Sequence, residues 1–235
     1  GRSFLTTAQR VSKRKPILVL KSGVTEKGSK VAISHTGSLA GRSEIFDAAC
    51  KQAGIIQVES FEELIDFAKA FALQPLPKGN NLGVMSVTGA GCVTAADSAV
   101  KNGFRIPDLS IETIEALRKI SPPWHERIGN PVDLGPAIEV GMYSPFDAER
   151  FFHIAFNAVL QDENLDSLIL LFFGLERGFL LFDRAVSGLL SITKETAKPL
   201  FFSITGDKQA TDEITKLLES KGFPVYPDVT RAVKA

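Results

Sequence analysis

Short apolar runs alternate along the chain with segments whose apolar residues recur at helical spacing. The continuous runs predict strands covered by helices on both faces, as in parallel sheets. The predicted strands are 17–20, 55–58, 82–87, 168–173, 198–204 and 223–226, and the predicted helices are 3–14, 41–53, 60–71, 92–102, 111–120, 146–160, one within 175–196, and 207–220. This alternation predicts an α/β fold built on mainly parallel, doubly wound sheets.

One segment concentrates residues that break regular structure. Residues 75–81 read Pro-Leu-Pro-Lys-Gly-Asn-Asn and lie between a predicted helix and a new apolar strand. Such breakers are typical of a boundary. We therefore predict two domains, 1–77 and 78–235, and expect the first to lack its N-terminal part because the chain starts at Gly1 with a helix that leads into a strand.

Residues 24–39 are polar and contain glycine, and they predict a mobile loop that holds His35. A neutral imidazole is a nucleophile near pH 7 and can carry a phosphoryl group. Ser34, Thr36 and Gly37 offer hydroxyls, amides and space for a phosphate, and the next helix begins just beyond. On local chemistry alone, a solvated surface histidine is the commoner alternative.

A second candidate site is the turn between the strand 82–87 and the helix that follows it. Its glycines let the backbone approach an oxyanion, and the free amides at the helix start point toward it. The predicted phosphate-binding residues are Gly89, Ala90, Gly91, Cys92 and Val93. Glycine turns of this kind also serve as packing devices, and the third glycine of a dinucleotide fingerprint is missing.

Other polar residues point less specifically to a function. Lys21 follows a predicted strand, so it lies either at the functional edge of the sheet or simply at the surface. Residues 124–127, Trp-His-Glu-Arg, can line a pocket, but surface packing is favoured, and His153 is expected to be solvated. Asn130 and Asp133 are expected to order a loop by local hydrogen bonds rather than to transfer protons.

Composition narrows the classes of partner. Lys and Arg number 27, and so do Asp and Glu, so no net charge favours nucleic acid or an anionic membrane. No apolar run reaches the length of about 20 residues that a membrane span needs. Cys50 and Cys92 lack metal-ligand spacing and are expected to be structural thiols in a reducing cytoplasm. No metal site is predicted.

Several ordered motifs together resemble one family. They are Lys15–Gly23, Ser34–Gly41, Phe61–Leu64, Gly89–Val93, Asn130–Leu134 and Lys198–Leu200. These segments, which span nearly the whole chain, resemble the ADP-forming acyl-CoA synthetases, relatives of succinyl-CoA synthetase. The resemblance implies two flavodoxin-like domains of three-layer α/β/α architecture, the first truncated. It further implies that His35 is phosphorylated and that the helix start at Gly89–Val93 faces the phosphohistidine.

The same resemblance implies the reaction and its partners. The complete enzyme would interconvert acyl-CoA, ADP and phosphate with acid, CoA and ATP, using Mg²⁺, a CoA-binding Rossmann domain and an ATP-grasp domain or subunit. The substrate would be a small carboxylic acid or acyl-CoA, and an oligomer is expected. This chain alone would be inactive. Two alternatives are an acyl-CoA-sensing, non-catalytic region of a protein lysine acetyltransferase and a stand-alone nucleotide-binding or scaffolding module.

Overall fold

The computed structural model describes residues 2–36, 42–143, 147–174, 187, 189 and 197–235, without the side chains of residues 35, 36, 142, 143, 173 and 174. The chain divides into two compact units, Gly1–Ala72 and Leu73–Ala235, called unit 1 and unit 2 below. No helix within the described part of the chain is long and apolar enough to cross a membrane.

Unit 1 is built on two parallel strands. Its elements are α1 (Arg2–Ser12), β1 (Leu18–Leu20), α2 (Glu26–Thr36), α3 (Ser43–Ala53), β2 (Ile56–Val58) and α4 (Phe61–Leu73), the last of which ends one residue into unit 2. β1 pairs with β2 from Leu18↔Ile56 to Leu20↔Val58. A small core of Ala8, Cys50, Ala53 and Ile55 lies between α1, α3 and the sheet.

The prediction of a loop over residues 24–39 is wrong, because α2 occupies Glu26–Thr36. Thr25 Oγ1 accepts a hydrogen bond from the Gly28 amide at 3.1 Å, and thus caps the helix start. Gly28 does not break the helix. A Cβ at Gly28 would stand 3.1 Å from Thr25 Oγ1, the atom that caps the helix, so glycine leaves room for this capping contact.

Unit 2 has a parallel sheet of the order β4-β3-β5-β6-β7 among the described residues. Its strands are β3 (Leu82–Ser86), β4 (Val132–Asp133), β5 (Ser167–Gly174), β6 (Leu200–Gly206) and β7 (Val225–Tyr226). The register runs Leu82↔Ser167 between β3 and β5, and Leu168↔Leu200 between β5 and β6. β3 and β4 end side by side at Ser86↔Asp133, which brings their carboxyl ends to one edge.

Helices cover both faces of this sheet. They are α5 (Gly89–Lys101), α6 (Ile111–Arg118), α7 (Gly135–Tyr143), α8 (Ala148–Gln161), α9 (Lys208–Ser220) and α10 (Val229–Lys234). Leu168, Leu170 and Phe172 of β5 enter one buried cluster, whereas Ile169 and Leu171 enter the other. A strand that is apolar on both faces requires this arrangement, so the predicted α/β class with parallel sheets is confirmed.

Several predicted helix starts agree with the structure and others do not. Ser60 accepts from the Glu63 amide, and Ser110 accepts from the Thr113 amide, as the capping patterns predict. α8 begins at Ala148, where Asp147 accepts from the Arg150 amide, so its predicted start at residue 146 is wrong. The predicted role of Pro145 and the helix within 175–196 lie outside the described residues, except that 187 and 189 are helical.

Candidate active site

The predicted nucleophile, His35, belongs to the last turn of α2. Its side chain, the side chain of Thr36 and the whole of Gly37 lie outside the described part of the chain. Ser34 is exposed, and its hydroxyl donates to the Val31 carbonyl oxygen at 2.7 Å. The Ser34 hydroxyl proton is therefore already used within the helix, although its oxygen can still accept.

The cation nearest to the carboxyl end of β1 is held in place. The Lys21 ammonium donates to Ser43 Oγ at 3.2 Å and lies 5.5 Å from the centre of the Phe46 ring. Ser43 Oγ in turn donates to the Val24 carbonyl oxygen at 3.3 Å. These contacts join the end of β1 to the first turn of α3. The sequence predicted that Lys21 could lie at the edge of the sheet, but it did not predict the hydrogen bond from Lys21 to Ser43.

The turn after β3 presents free backbone donors. Thr88 is the N-cap of α5, and its Oγ1 accepts from the Gly91 amide at 3.2 Å. The Cys92 amide donates to the Thr88 carbonyl oxygen. Gly89 and Ala90 are exposed, and their amides have no partner among the described residues. Of the predicted phosphate-binding residues in unit 2, these two thus offer unused N–H groups at a positive helix end.

The floor of this turn is tightly packed. A Cβ at Gly91 would collide with the hydroxyl of Ser86, which is buried and accepts from the Thr88 amide at 3.1 Å. Glycine at position 91 therefore lets the start of α5 pack closely against the end of β3. Ser86 and Thr88 were not predicted from the sequence, although a threonine directly before a glycine-rich helix start is a recognisable N-cap signal.

Cys92 and Val93 point in different directions. The Cys92 thiol is buried and donates to the Val132 carbonyl oxygen at 3.6 Å, whereas Val93 is 65% exposed. Burial, followed by the nearby Asp133 carboxylate, raises the pKa of the Cys92 thiol to about 12, against a small opposing effect of Ser86. A thiol in this environment stays protonated and is a poor nucleophile.

Asn130 joins three segments of unit 2. Its amide group donates to the Leu82 carbonyl oxygen at 2.9 Å and to the Pro107 carbonyl oxygen at 3.0 Å. Its Oδ1 accepts from the Val84 amide at 3.0 Å. The side chain thus fastens the loop before β4 to β3, and its polar atoms are occupied by backbone groups.

Asp133 lies beside the free amides. Its Oδ1 accepts from the Gly135 amide at 2.9 Å at the start of α7. Its Oδ2 is 3.1 Å from the point where a Cβ of Gly89 would stand. The structure therefore brings Asp133 and the Gly89 turn together at the carboxyl edge of β3 and β4. No group of three or more His, Cys, Asp or Glu residues that could hold a metal occurs among the described residues.

The sequence of this chain is similar to those of known proteins. Residues 1–71 match the family described as a succinyl-CoA ligase like flavodoxin domain. An acetate–CoA ligase [ADP-forming] II from Archaeoglobus fulgidus is 38% identical over 99% of this chain and 33% of its own length. The alpha subunit of an acetate–CoA ligase [ADP-forming] II from Pyrococcus furiosus is 35% identical over 96% of this chain and 47% of its own.

A solved structure shows the same fold. The Ca. Korarchaeum cryptofilum dinucleotide forming acetyl-coenzyme A synthetase 1, in complex with phosphate and ADP, matches with a TM-score of 0.83 and 29% identity. The match covers 100% of this chain and 48% of that one. This chain spans between about a third and a half of the length of these relatives. By sequence and by fold, the chain is similar to parts of the ADP-forming acetate–CoA ligases, and its residues 1–71 match the succinyl-CoA ligase like flavodoxin domain.

Proposed function

We propose that this chain is the phosphoryl-transfer part of an ADP-forming acyl-CoA synthetase. Phosphate displaces CoA from the acyl-CoA and gives an acyl phosphate and free CoA. A ring nitrogen of His35 then attacks the phosphorus, and the carboxylate of the acid leaves. ADP takes the phosphoryl group from the histidine and becomes ATP, which restores the imidazole.

The observation that carries this proposal is the pair of unused, exposed amides of Gly89 and Ala90 at the N-terminus of α5. A phosphohistidine carries up to two negative charges. Backbone N–H groups at a helix start stabilise such an anion without a titrating side chain. Because its relatives include acetate–CoA ligases [ADP-forming], we expect this chain to use the two amides to bind a phosphoryl group.

Because His35 lies at the end of its helix, a second structural element is needed to stabilise a phosphoryl group on it. His35 belongs to the last turn of α2, and the C-terminal end of a helix carries partial negative charge. A phosphoryl group on this residue is therefore not stabilised by its own helix. In our proposal the stabilising donors are the Gly89 and Ala90 amides, because the Gly91 and Cys92 amides already donate to Thr88. The predicted contributions of Ser34, Thr36 and Gly37 remain predictions.

We further assign the two parts of the chain. Residues 1–77 are the C-terminal part of a phosphohistidine domain, and residues 78–235 are the second flavodoxin-like ligase domain, in which Asn130 and Asp133 order the loop at the phosphate edge. A CoA-binding Rossmann domain and an ATP-grasp domain or subunit complete an oligomeric, cytoplasmic enzyme for a small carboxylic acid. Mg²⁺ enters with the nucleotide.

Phosphate labelling of the assembled enzyme tests the proposal. The assembled enzyme is this chain together with its CoA-binding and ATP-grasp parts, incubated with acetyl-CoA, ³²P-phosphate and Mg²⁺. We expect label on the wild-type protein that is stable to base, labile to acid and discharged by ADP. His35→Ala should abolish the label, because no other group takes its place as nucleophile.

A matched histidine variant controls for general damage. His153 is exposed on α8, so His153→Ala should label as the wild type does. Label that persists in His35→Ala would overturn the assignment of the nucleophile. If several acyl-CoAs bind but none gives label or ATP in the wild type, the chain is a regulatory acyl-CoA-binding module and the ligase proposal fails.

A further inference from the structure

Helix α4 of unit 1 carries an apolar stripe on its exposed face. The members of the stripe recur at steps of four, three and four residues and are Phe61, Ile65, Ala68 and Ala72. Phe61 is 73% exposed and Ile65 is 63% exposed, and both alanines are exposed as well. Isolated apolar residues at a surface need no explanation, whereas a contiguous exposed patch marks an interaction site.

The stripe is not used by the contacts that α4 makes within unit 1. A surface helix normally turns its apolar side inward and its charged side toward water. The buried residues of α4 are Asp66 and Ala70, and at 3.6 residues per turn they lie on the side opposite the stripe. Because α4 is apolar on a side that unit 1 does not cover, the stripe indicates a further partner.

The sizes of the four side chains fit a second copy of the same helix. Phe61 and Ala72 lie at equal distances from the middle of the stripe, and so do Ile65 and Ala68. Two copies that pack antiparallel about a twofold axis therefore place Phe61 of each copy on Ala72 of the other. In the same way, Ile65 of each copy packs on Ala68 of the other. A parallel pair would instead set Phe61 against Phe61 and leave a gap between the two Ala72 side chains.

The charges beside the stripe favour the same orientation. Glu62 and Lys69 flank the stripe on one side, two helical turns apart. In the antiparallel pair, Glu62 of each copy lies near Lys69 of the other, so opposite charges face each other twice. A parallel pair would bring like charges together. Exposed ion pairs add little affinity, but like charges in contact are disfavoured, so this pattern selects the antiparallel orientation.

We propose that α4 is a self-association surface, through which two copies of this chain form an antiparallel helix pair centred between Ile65 and Ala68. This inference does not depend on the proposed ligase function. A single pair of 13-residue helices is a small interface, below the roughly 1,200 Å² that stable complexes bury. The dimer should therefore be weak and depend on the protein concentration.

Sedimentation velocity of the 235-residue chain tests the proposal. We expect a monomer at about 5 μM and mostly dimer at about 500 μM, a range that suits a weak interface. Ile65→Glu places a carboxylate at the centre of the contact and should raise the dissociation constant roughly tenfold or more. Val100→Glu is the matched control, because Val100 is 64% exposed on α5 of unit 2, and it should leave the dissociation constant unchanged.

Charge reversal tests the orientation without changing the apolar stripe. Glu62→Lys brings like charges together in the antiparallel pair and should weaken the dimer, and the addition of Lys69→Glu should restore it. In a parallel pair the like charges would persist in both variants, so the second substitution would restore nothing. Urea denaturation shows that each variant is folded.

Three results would overturn the proposal. The first is a chain that stays monomeric up to about 500 μM, which would assign the stripe to a different partner. The second is a dimer that a folded Ile65→Glu variant leaves unchanged, because the contact would then lie elsewhere. The third is a folded double variant of Glu62 and Lys69 that stays as weak as Glu62→Lys alone.

Discussion

At the scale of single residues, Cys92 contributes an unreactive thiol to the edge that we propose binds phosphate. Its thiol donates to the Val132 carbonyl oxygen and so ties the start of α5 to β4. Burial and the Asp133 carboxylate both disfavour a thiolate at this place. A charged sulfur would compete with phosphate for the positive end of α5, so a protonated thiol suits the site.

The raised pKa of Cys92 predicts a pH dependence of stability. The folded pKa of about 12 lies above the ordinary value of 9.0, so the thiol's contribution is complete below pH 9 and is lost as the pH rises toward 12. Between pH 8 and pH 11, the free energy of unfolding in urea should fall more for the wild type than for Cys92→Ala. Equal falls in the two proteins would contradict the assignment.

Lys198 shows that a residue of a family-like motif can serve the fold. Its ammonium donates to the Asp162 carbonyl oxygen at the amino end of β6, opposite the phosphate edge. Burial lowers the pKa of Lys198, while Asp162 and Asp166 act in the other direction. Asp162 itself accepts from the Ser110 and Asn164 amides. The Lys-Pro-Leu motif thus stabilises the end of the sheet opposite the edge that we propose binds phosphate.

At the scale of elements, the start of α5 carries the strongest local prediction. Thr88 caps this helix and orients the first turn whose amides we assign to phosphate. Thr88→Ala should cost about 1 kcal/mol of unfolding free energy, because an N-cap hydrogen bond is lost. It should also slow phosphohistidine formation in the assembled enzyme, because the Gly89 and Ala90 amides are less well held.

Thr94→Ala is the control on the same helix. Thr94 is exposed, and its hydroxyl donates only to the Ala90 carbonyl oxygen one turn earlier. Its loss should change the unfolding free energy by less than about 0.5 kcal/mol, as is usual for surface positions. Urea denaturation measures both variants, and equal losses would show that Thr88 has no special role as the cap.

An element could be predicted from the sequence where the residues that determine it form a clear local pattern. β5 and β6 were predictable because each contains a run of apolar residues, of which Leu168–Phe172 in β5 and Leu200, Phe202 and Ile204 in β6 are buried. The helices that follow Ser60 and Ser110 were predictable because these serines are local N-cap signals. α2 was missed because it contains Gly28 and few apolar residues, and none of its described side chains is buried. β4 and α10 are too short to show a period.

The same distinction between local patterns and contacts between distant residues applies to the candidate site. The glycine turn and His35 could be proposed as site residues from the sequence, because the residues that suggest each of them lie within one short segment. The carboxylate of Asp133 beside Gly89 could not, because the β3–β4 pairing that joins them links distant parts of the chain.

At the scale of the whole molecule, the two units differ in how much apolar surface they bury. The described core of unit 1 has four buried residues between α1, α3 and its sheet. In unit 2, residues of β5 alone enter buried clusters on both faces, and β5 pairs with β3 on one side and β6 on the other. Because local opening is cheapest where few apolar contacts must break, the two sheets should open at different rates.

Amide hydrogen exchange of the 235-residue chain tests this difference. We expect the amides of Leu168–Leu171 in β5 to exchange slowest and those of Leu18–Leu20 in β1 to exchange at least tenfold faster, since β1 is half-buried and paired with β2. Mass spectrometry of peptides from the two strands gives both rates under one condition. Binding of a CoA-binding or ATP-grasp part should slow exchange in β1 more than in β5, if the completed enzyme supplies the contacts that unit 1 lacks on its own. Equal protection of the two strands in the isolated chain would show that the small core of unit 1 is sufficient to stabilise it.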